Sequence, residues 1–181
     1  MSGTVHFDVV ENLPKKTLVG YCSVLNSIDV PQYYDLLWYR FLERLTWSLI
    51  PPDRELYGVC ANLNINGFFE YWTAVEARPG DLLPDDLIAI PMDAGTYGSR
   101  VEMPEKPLPV FYGQLTSCWE TPSEYMLNWK QPFYEVYKPD WANRSAVKIC
   151  VPLFASMAAS EFQPLVECRA PELEPNGANP I

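Results

Sequence analysis

A single histidine, His6, is all the imidazole in this 181-residue chain. Ser-His-Asp and Cys-His catalysis, and most metal sites, therefore have almost no raw material. The five cysteines (Cys22, Cys60, Cys118, Cys150 and Cys168) are odd in number, scattered and free of any C-x-x-C pair. That argues against a disulfide framework or zinc site as the organising element and leads us to expect a reduced, cytoplasmic chain with buried thiols. Neither a signal peptide nor an apolar run long enough to span a bilayer is present, so no membrane partner is expected. Positive charge is also scarce: 13 Lys and Arg face 23 Asp and Glu, for a net charge of -10. Such a chain repels phosphate backbones, which argues against nucleic acid as a partner and favours cationic or neutral ligands. No metal or cofactor is expected. What the chain has in quantity is rings. Aromatics make up 14%, with six Trp and eleven Tyr, more ring surface than a core requires, and spare aromatics often line pockets or interfaces.

Taken in order, residues 5–10 alternate weakly, and Lys16 to Cys22 reads as a strand rich in apolar and β-branched residues. Asp29 and Gln32 have capping-box spacing and Pro31 suits a first helical turn, so a helix is predicted over 31–49. Tyr34, Leu37, Trp38, Phe41, Leu45 and Leu49 form its apolar stripe, read as core rather than as a binding surface. Leu56 to Asn64 and Phe68 to Ala77 flank Asn66-Gly67 as a hairpin. On its second strand Phe68, Glu70, Trp72, Ala74 and Glu76 share one face, and Phe69, Tyr71, Thr73 and Val75 the other. After a turn-rich connector over 78–86 the order repeats: Leu87–Ile90, a strand over 96–103, a helix from Leu108 to about Thr121, and strands over 133–138 and 146–154. The fold class is α+β, two βαββ units side by side with pseudo-two-fold symmetry, antiparallel sheets and a ligand cleft between the units. The domain spans 1–170, with units at about 5–77 and 87–154, and disorder is expected over 171–181.

The stretch Gln131-Pro132-Phe133-Tyr134-Glu135-Val136-Tyr137 sets one acid among rings. Strand periodicity puts Phe133, Glu135 and Tyr137 on one face and Tyr134 and Val136 on the other. An acid beside two aromatics is either an edge-strand glutamate facing water or a buried carboxylate retained for a ligand cation or a chemical task. Glu70 beside Trp72 repeats the pairing of acid and ring.

The segments Leu18-Val19-Gly20-Tyr21, Ala94-Gly95-Thr96-Tyr97, Pro132 to Tyr137 and Val147 to Leu153, in this order within two βαββ units, resemble the GyrI-like small-molecule-binding domain, which also forms the effector-binding half of multidrug-responsive regulators. The resemblance implies a cleft between the units, walled by aromatics and anchored by a glutamate at Glu135. Trp72, Tyr97, Trp119 and Tyr137 are candidate walls, joined by Phe133 and Glu70, and each is equally explicable as packing.

Function then divides three ways. The first is a stand-alone binding protein that sequesters an aromatic, amphipathic or cationic compound. The second, which the resemblance implies, is a cofactor-independent hydrolase that opens strained cyclopropane-type rings, serving detoxification or self-resistance. There Glu135 orients or deprotonates water and Tyr97 or Tyr71 donates a proton. The third is a gyrase-inhibitor-type module whose acidic surface meets a basic partner. Few residues precede the first strand and the tail is short and Pro-rich, so a fused DNA-binding module is not expected.

Overall fold

The structure, a computed structural model, describes residues 7–26, 30–46, 53–64, 66–102, 124–138 and 147–155. Among these the chain forms nine strands and one helix: β1 Val9–Leu13, β2 Lys16–Asn26, α1 Val30–Thr46, β3 Leu56–Ala61, β4 Phe68–Glu76, β5 Ile88–Met92, β6 Gly95–Glu102, β7 Tyr125–Leu127, β8 Phe133–Tyr137 and β9 Val147–Ala155. The strands make one antiparallel sheet in the order β1-β6-β9-β8-β3-β4-β2-β5, with the short β7 also paired to β9. The strands of the two halves thus join in one open sheet through the β3·β8 pair, where two sheets were anticipated. On one side of that junction lie β4 and then β2; on the other lie β9 and then β6. The second anticipated helix, Trp119 and the tail over 171–181 lie outside the described residues.

Local sequence explains the element boundaries. Tyr34, Leu37, Trp38 and Phe41 of α1 are buried, while Tyr33, Leu36 and Tyr39 on its outer side are exposed, as an amphipathic helix lying on a sheet requires. Burying each such side chain stabilises the fold by about 1.5–3 kcal/mol. The strand expected to reach Asn64 stops at Ala61 because Asn62 turns left-handed, at φ 53°. Asn64 then organises the hairpin: its side-chain oxygen accepts from the Asn66 and Phe68 amides at 2.9 and 3.1 Å. Gly67, at φ 76°, supplies the positive φ that this turn needs.

The connector after β4 is tied down rather than loose. Arg54 grips Asp81 through two bonds of 2.6 and 2.7 Å, and the same guanidinium donates to the Glu76 carbonyl at 2.8 Å. Both side chains are more than nine-tenths buried, and the guanidinium hydrogen bonds hold the Asp81 carboxyl below its ordinary range.

Cross-strand register fixes what each face carries. On the face covered by α1, one row runs Tyr21, Thr73, Gly58, Glu135, Ile149 and Arg100 across six strands. The neighbouring row on the opposite face runs Cys22, Trp72, Val59, Tyr134, Cys150 and Ser99. The apolar residues pack into two clusters that follow this division, one beneath α1 and one beneath the sheet.

Candidate functional site

Glu135 is fully buried at the centre of the α1 face, next to the β3·β8 junction. Its Oε2 accepts from the Tyr71 hydroxyl at 2.8 Å and from the Tyr137 hydroxyl at 2.7 Å. Two side chains of α1, one turn apart, support these donors. Trp38 Nε1 donates to the Tyr71 oxygen at 3.2 Å, and the Tyr34 and Tyr137 hydroxyls are 2.6 Å apart. Because Tyr137 commits its proton to Glu135, Tyr34 is the donor in that last pair. Two relays thus run from α1 through a sheet tyrosine to the carboxylate, and bonds arranged head to tail polarise one another.

The rings that carry these groups enclose the acid. Tyr34 and Tyr71 lie 5.2 Å apart between centroids, Trp38 and Tyr137 5.0 Å at 73°, and Tyr34 and Trp38 6.5 Å at 60°. Burial, reinforced by the Glu135 charge, pushes the phenols of Tyr71, Tyr137 and Tyr34 above the ordinary tyrosine value. They therefore keep their protons and remain donors. The Cys60 thiol is pushed up by the same causes. Room for the carboxylate comes from β3. A Cβ on Gly58 would stand 2.2 Å from Glu135 Oε2 and 2.3 Å from the Tyr71 hydroxyl, so only glycine lets both groups sit over that strand.

The structure brings some of the anticipated residues together and separates others. Glu135, Tyr71, Tyr137 and Phe133 share the α1 face, with Phe133 at its margin. Trp72 and Tyr97 belong to the opposite face, and Glu70 points the same way, accepting from Trp72 Nε1 at 3.4 Å. This corrects the grouping of Tyr97 with Glu135 as a proton donor: strand alternation places the sheet between them. The sequence reading overlooked Tyr34 and Trp38. Their helical spacing marked them as facing the sheet, but nothing local showed that what they face is an acid.

The opposite face has its own ring cluster. Tyr134 meets Tyr97 edge-on at 5.1 Å and Tyr57 at 6.2 Å. Lys16 Nζ lies 4.9 Å from the Tyr57 centroid and 5.8 Å from that of Tyr134, within cation–π range. Lys148 pairs with Glu11, which also accepts from Ser99 Oγ at 3.4 Å. An open groove elsewhere, between α1 and β2, is lined by Tyr21, Leu37, Arg40 and Arg44. Two of its residues, Tyr21 and Arg44, donate to Asp86 at 2.5 and 3.0 Å. Such an open, charged groove gives little shelter from water, and Glu135 is not part of it. No group of metal-ligating side chains occurs among the described residues, and none of their helices is long and apolar enough to cross a membrane.

No family model matches the chain, and no curated protein matches it by sequence. Solved structures do resemble it. An integron cassette protein from the mobile metagenome of Vibrio cholerae superposes with a TM-score of 0.57 at 13% identity, over 82% of this chain and 98% of its own. SAV2435, in a structure bound to tetraphenylphosphonium, gives 0.56 at 16% identity, over 81% and 93%. The C-terminal domain of EcmrR gives 0.52 at 12% identity, over 81% and 96%. These likenesses show a shared fold.

Proposed function

We propose that this chain binds a small aromatic or amphipathic organic cation, with Glu135 as its electrostatic anchor. The observation that carries the reading is the fully buried Glu135 carboxylate, which takes both described donors on one oxygen and is roofed by the rings of Tyr34 and Trp38. Hydrogen bonds donated to a carboxylate favour its ionised form. In a site of low dielectric, the attraction of that charge for a cation exceeds its value in water. Ring faces add about 0.5–2 kcal/mol each where the cation is desolvated. Since Glu135 is closed off, a ligand reaches it only when the α1 side chains above it move aside. The SAV2435 structure holds a lipophilic cation on the same fold at 16% identity, which supports this choice of ligand class. The matching order of strands on the two sides of β3·β8 supports a pseudo-two-fold pair of βαββ units with the anchor at their junction.

Trp38 reports directly on the site, so fluorescence titration with tetraphenylphosphonium and the neutral tetraphenylmethane is the test. Saturable binding of the cation alone is expected, weakened at least about tenfold in Glu135→Gln, or roughly 1.4 kcal/mol. Equal binding of the neutral compound, or full affinity in the variant, would overturn the reading.

A second reading, hydrolytic ring opening, draws on the 2.8 Å contact between Tyr71 and Glu135, which sets a phenolic proton beside a carboxylate base. Incubation with a cyclopropane electrophile and mass analysis for added water tests it. Turnover that Glu135→Gln leaves unchanged would remove Glu135 as the base.

A further inference from the structure

We infer that the Glu135 site selects protonated amines bearing N–H groups over permanent cations, and that Thr73 is the second polar anchor that makes the distinction. The inference rests on the reading of Glu135 as a cation anchor. Its own observation is different: Thr73 is fully buried, yet its Oγ1 has no hydrogen-bond partner. A buried hydroxyl that no protein group bonds is costly to keep.

Register shows where this hydroxyl stands. Thr73 lies opposite Gly58, and Gly58 lies opposite Glu135, so the three occupy one row on the face beneath α1. Its strand neighbours Tyr71 and Val75 pack into the cluster on that face, and Tyr21, its partner on β2, meets Phe41 of α1 edge-on at 6.4 Å. The strand between Thr73 and Glu135 contributes only Gly58, and Glu135 Oε2 and the Tyr71 hydroxyl lean over that glycine to within 2.2 and 2.3 Å of where a Cβ would be. The carboxylate therefore sits above the strand next to that of Thr73, about one strand spacing of 4.8 Å away. One tetrahedral ammonium nitrogen making two hydrogen bonds of about 2.9 Å reaches acceptors about 4.7 Å apart. A primary or secondary ammonium thus bridges Glu135 and Thr73 with two N–H groups. A quaternary ammonium or a phosphonium has no N–H to offer and gains only the charge and the rings.

The test compares biphenylmethyl(methyl)ammonium with biphenylmethyl(trimethyl)ammonium at pH 7, on the intact chain and on Thr73→Val and Thr73→Ser. Thr73→Val keeps the shape and removes the unpartnered hydroxyl, so it should fold with equal or greater stability. The expected result is about a tenfold loss of affinity for the secondary ammonium in Thr73→Val, unchanged affinity for the quaternary one, and recovery in Thr73→Ser. Equal losses for both cations, or no loss for either, would overturn the role of Thr73 while leaving the cation site standing. A lowered melting temperature in Thr73→Val would show that the hydroxyl is satisfied in the free protein and would overturn it too. If the unaltered chain bound neither cation, the Glu135 reading itself would fall, and this inference with it.

Discussion

The two faces of the sheet use the same materials to opposite ends. Beneath α1, Tyr34, Trp38, Tyr71 and Tyr137 converge on an acid, Glu135. On the other face, Tyr57 and Tyr134 flank a cation supplied by the chain itself, Lys16, and the Glu11 carboxylate is met by Lys148. A cluster of rings therefore does not define a ligand; the charge at its centre does. The face centred on Lys16 has its cation–π interaction already made, while on the other face, under the proposed function, the Glu135 carboxylate takes its cation from outside. Three of the anticipated site residues, Glu70, Trp72 and Tyr97, lie on the face centred on Lys16.

The largest expected effect falls on both faces together. Burial raises Tyr34, Tyr71 and Tyr137 on one side, and Tyr57, Tyr97 and Tyr134 on the other, above the ordinary value of 10.0, with Tyr97 reaching about 12. Cys22 and Cys150 rise from 9.0 to about 11. A group whose pKa is raised in the folded state contributes stability that is complete below its unfolded value and is lost as pH rises toward the folded one. Stability should accordingly hold to about pH 9, the ordinary thiol value, and collapse above 10, the ordinary phenol value. Circular dichroism and tyrosinate absorbance should change in one transition, because both faces belong to one sheet. Two separated transitions would show that the faces unfold independently.

Next in size is a pair of neighbouring substitutions that separates the faces. Gly58→Ala drives a methyl into Glu135 and Tyr71 and should cost about 2 kcal/mol in urea denaturation, as overpacking does. It should also abolish cation binding. Val59, one residue on, is fully buried against the other face. Val59→Ala should cost a similar amount, about 2 kcal/mol, through the cavity it leaves, with cation affinity unchanged. If Val59→Ala weakened binding as much as Gly58→Ala, the sheet would not insulate the faces and the comparison would break.

How far the sequence revealed this arrangement follows from the range of each signal. Strand alternation over 133–137 correctly put Phe133, Glu135 and Tyr137 on one face, and the hairpin around Asn66-Gly67 was legible because turn chemistry is local. The helix over 30–46 was legible from its stripe. That Tyr71 rather than Tyr97 meets Glu135 was not, since both are strand tyrosines and only the registers running from β4 through β3 to β8, and from β8 through β9 to β6, decide which face each shares with the acid. Nor could Gly58 be singled out: in sequence it is one glycine in an apolar strand, and its role emerges only when a carboxylate crosses above it. The joining of both halves into one sheet is likewise a long-range pairing that no local pattern encodes.

The smallest expected effect is the most discriminating for the opposite face. Lys16→Met removes the cation from Tyr57 and Tyr134 while keeping an apolar stem of similar length. The cost should be about 0.5–1 kcal/mol, the range of a partly exposed cation–π contact. Calorimetric titration with tetraphenylphosphonium should give the same affinity at Glu135 as in the unaltered chain. If the two ring clusters differ only in the charge they already hold, the vacated tyrosines of Lys16→Met should instead acquire weak affinity for a small ammonium ion, visible as a second, millimolar phase with tetramethylammonium. Such a phase would show that Lys16 acts as a built-in ligand for that face. Its absence, with Glu135 binding intact, would show that rings without a central carboxylate do not hold a cation here, and would place the weight of recognition on the buried charge.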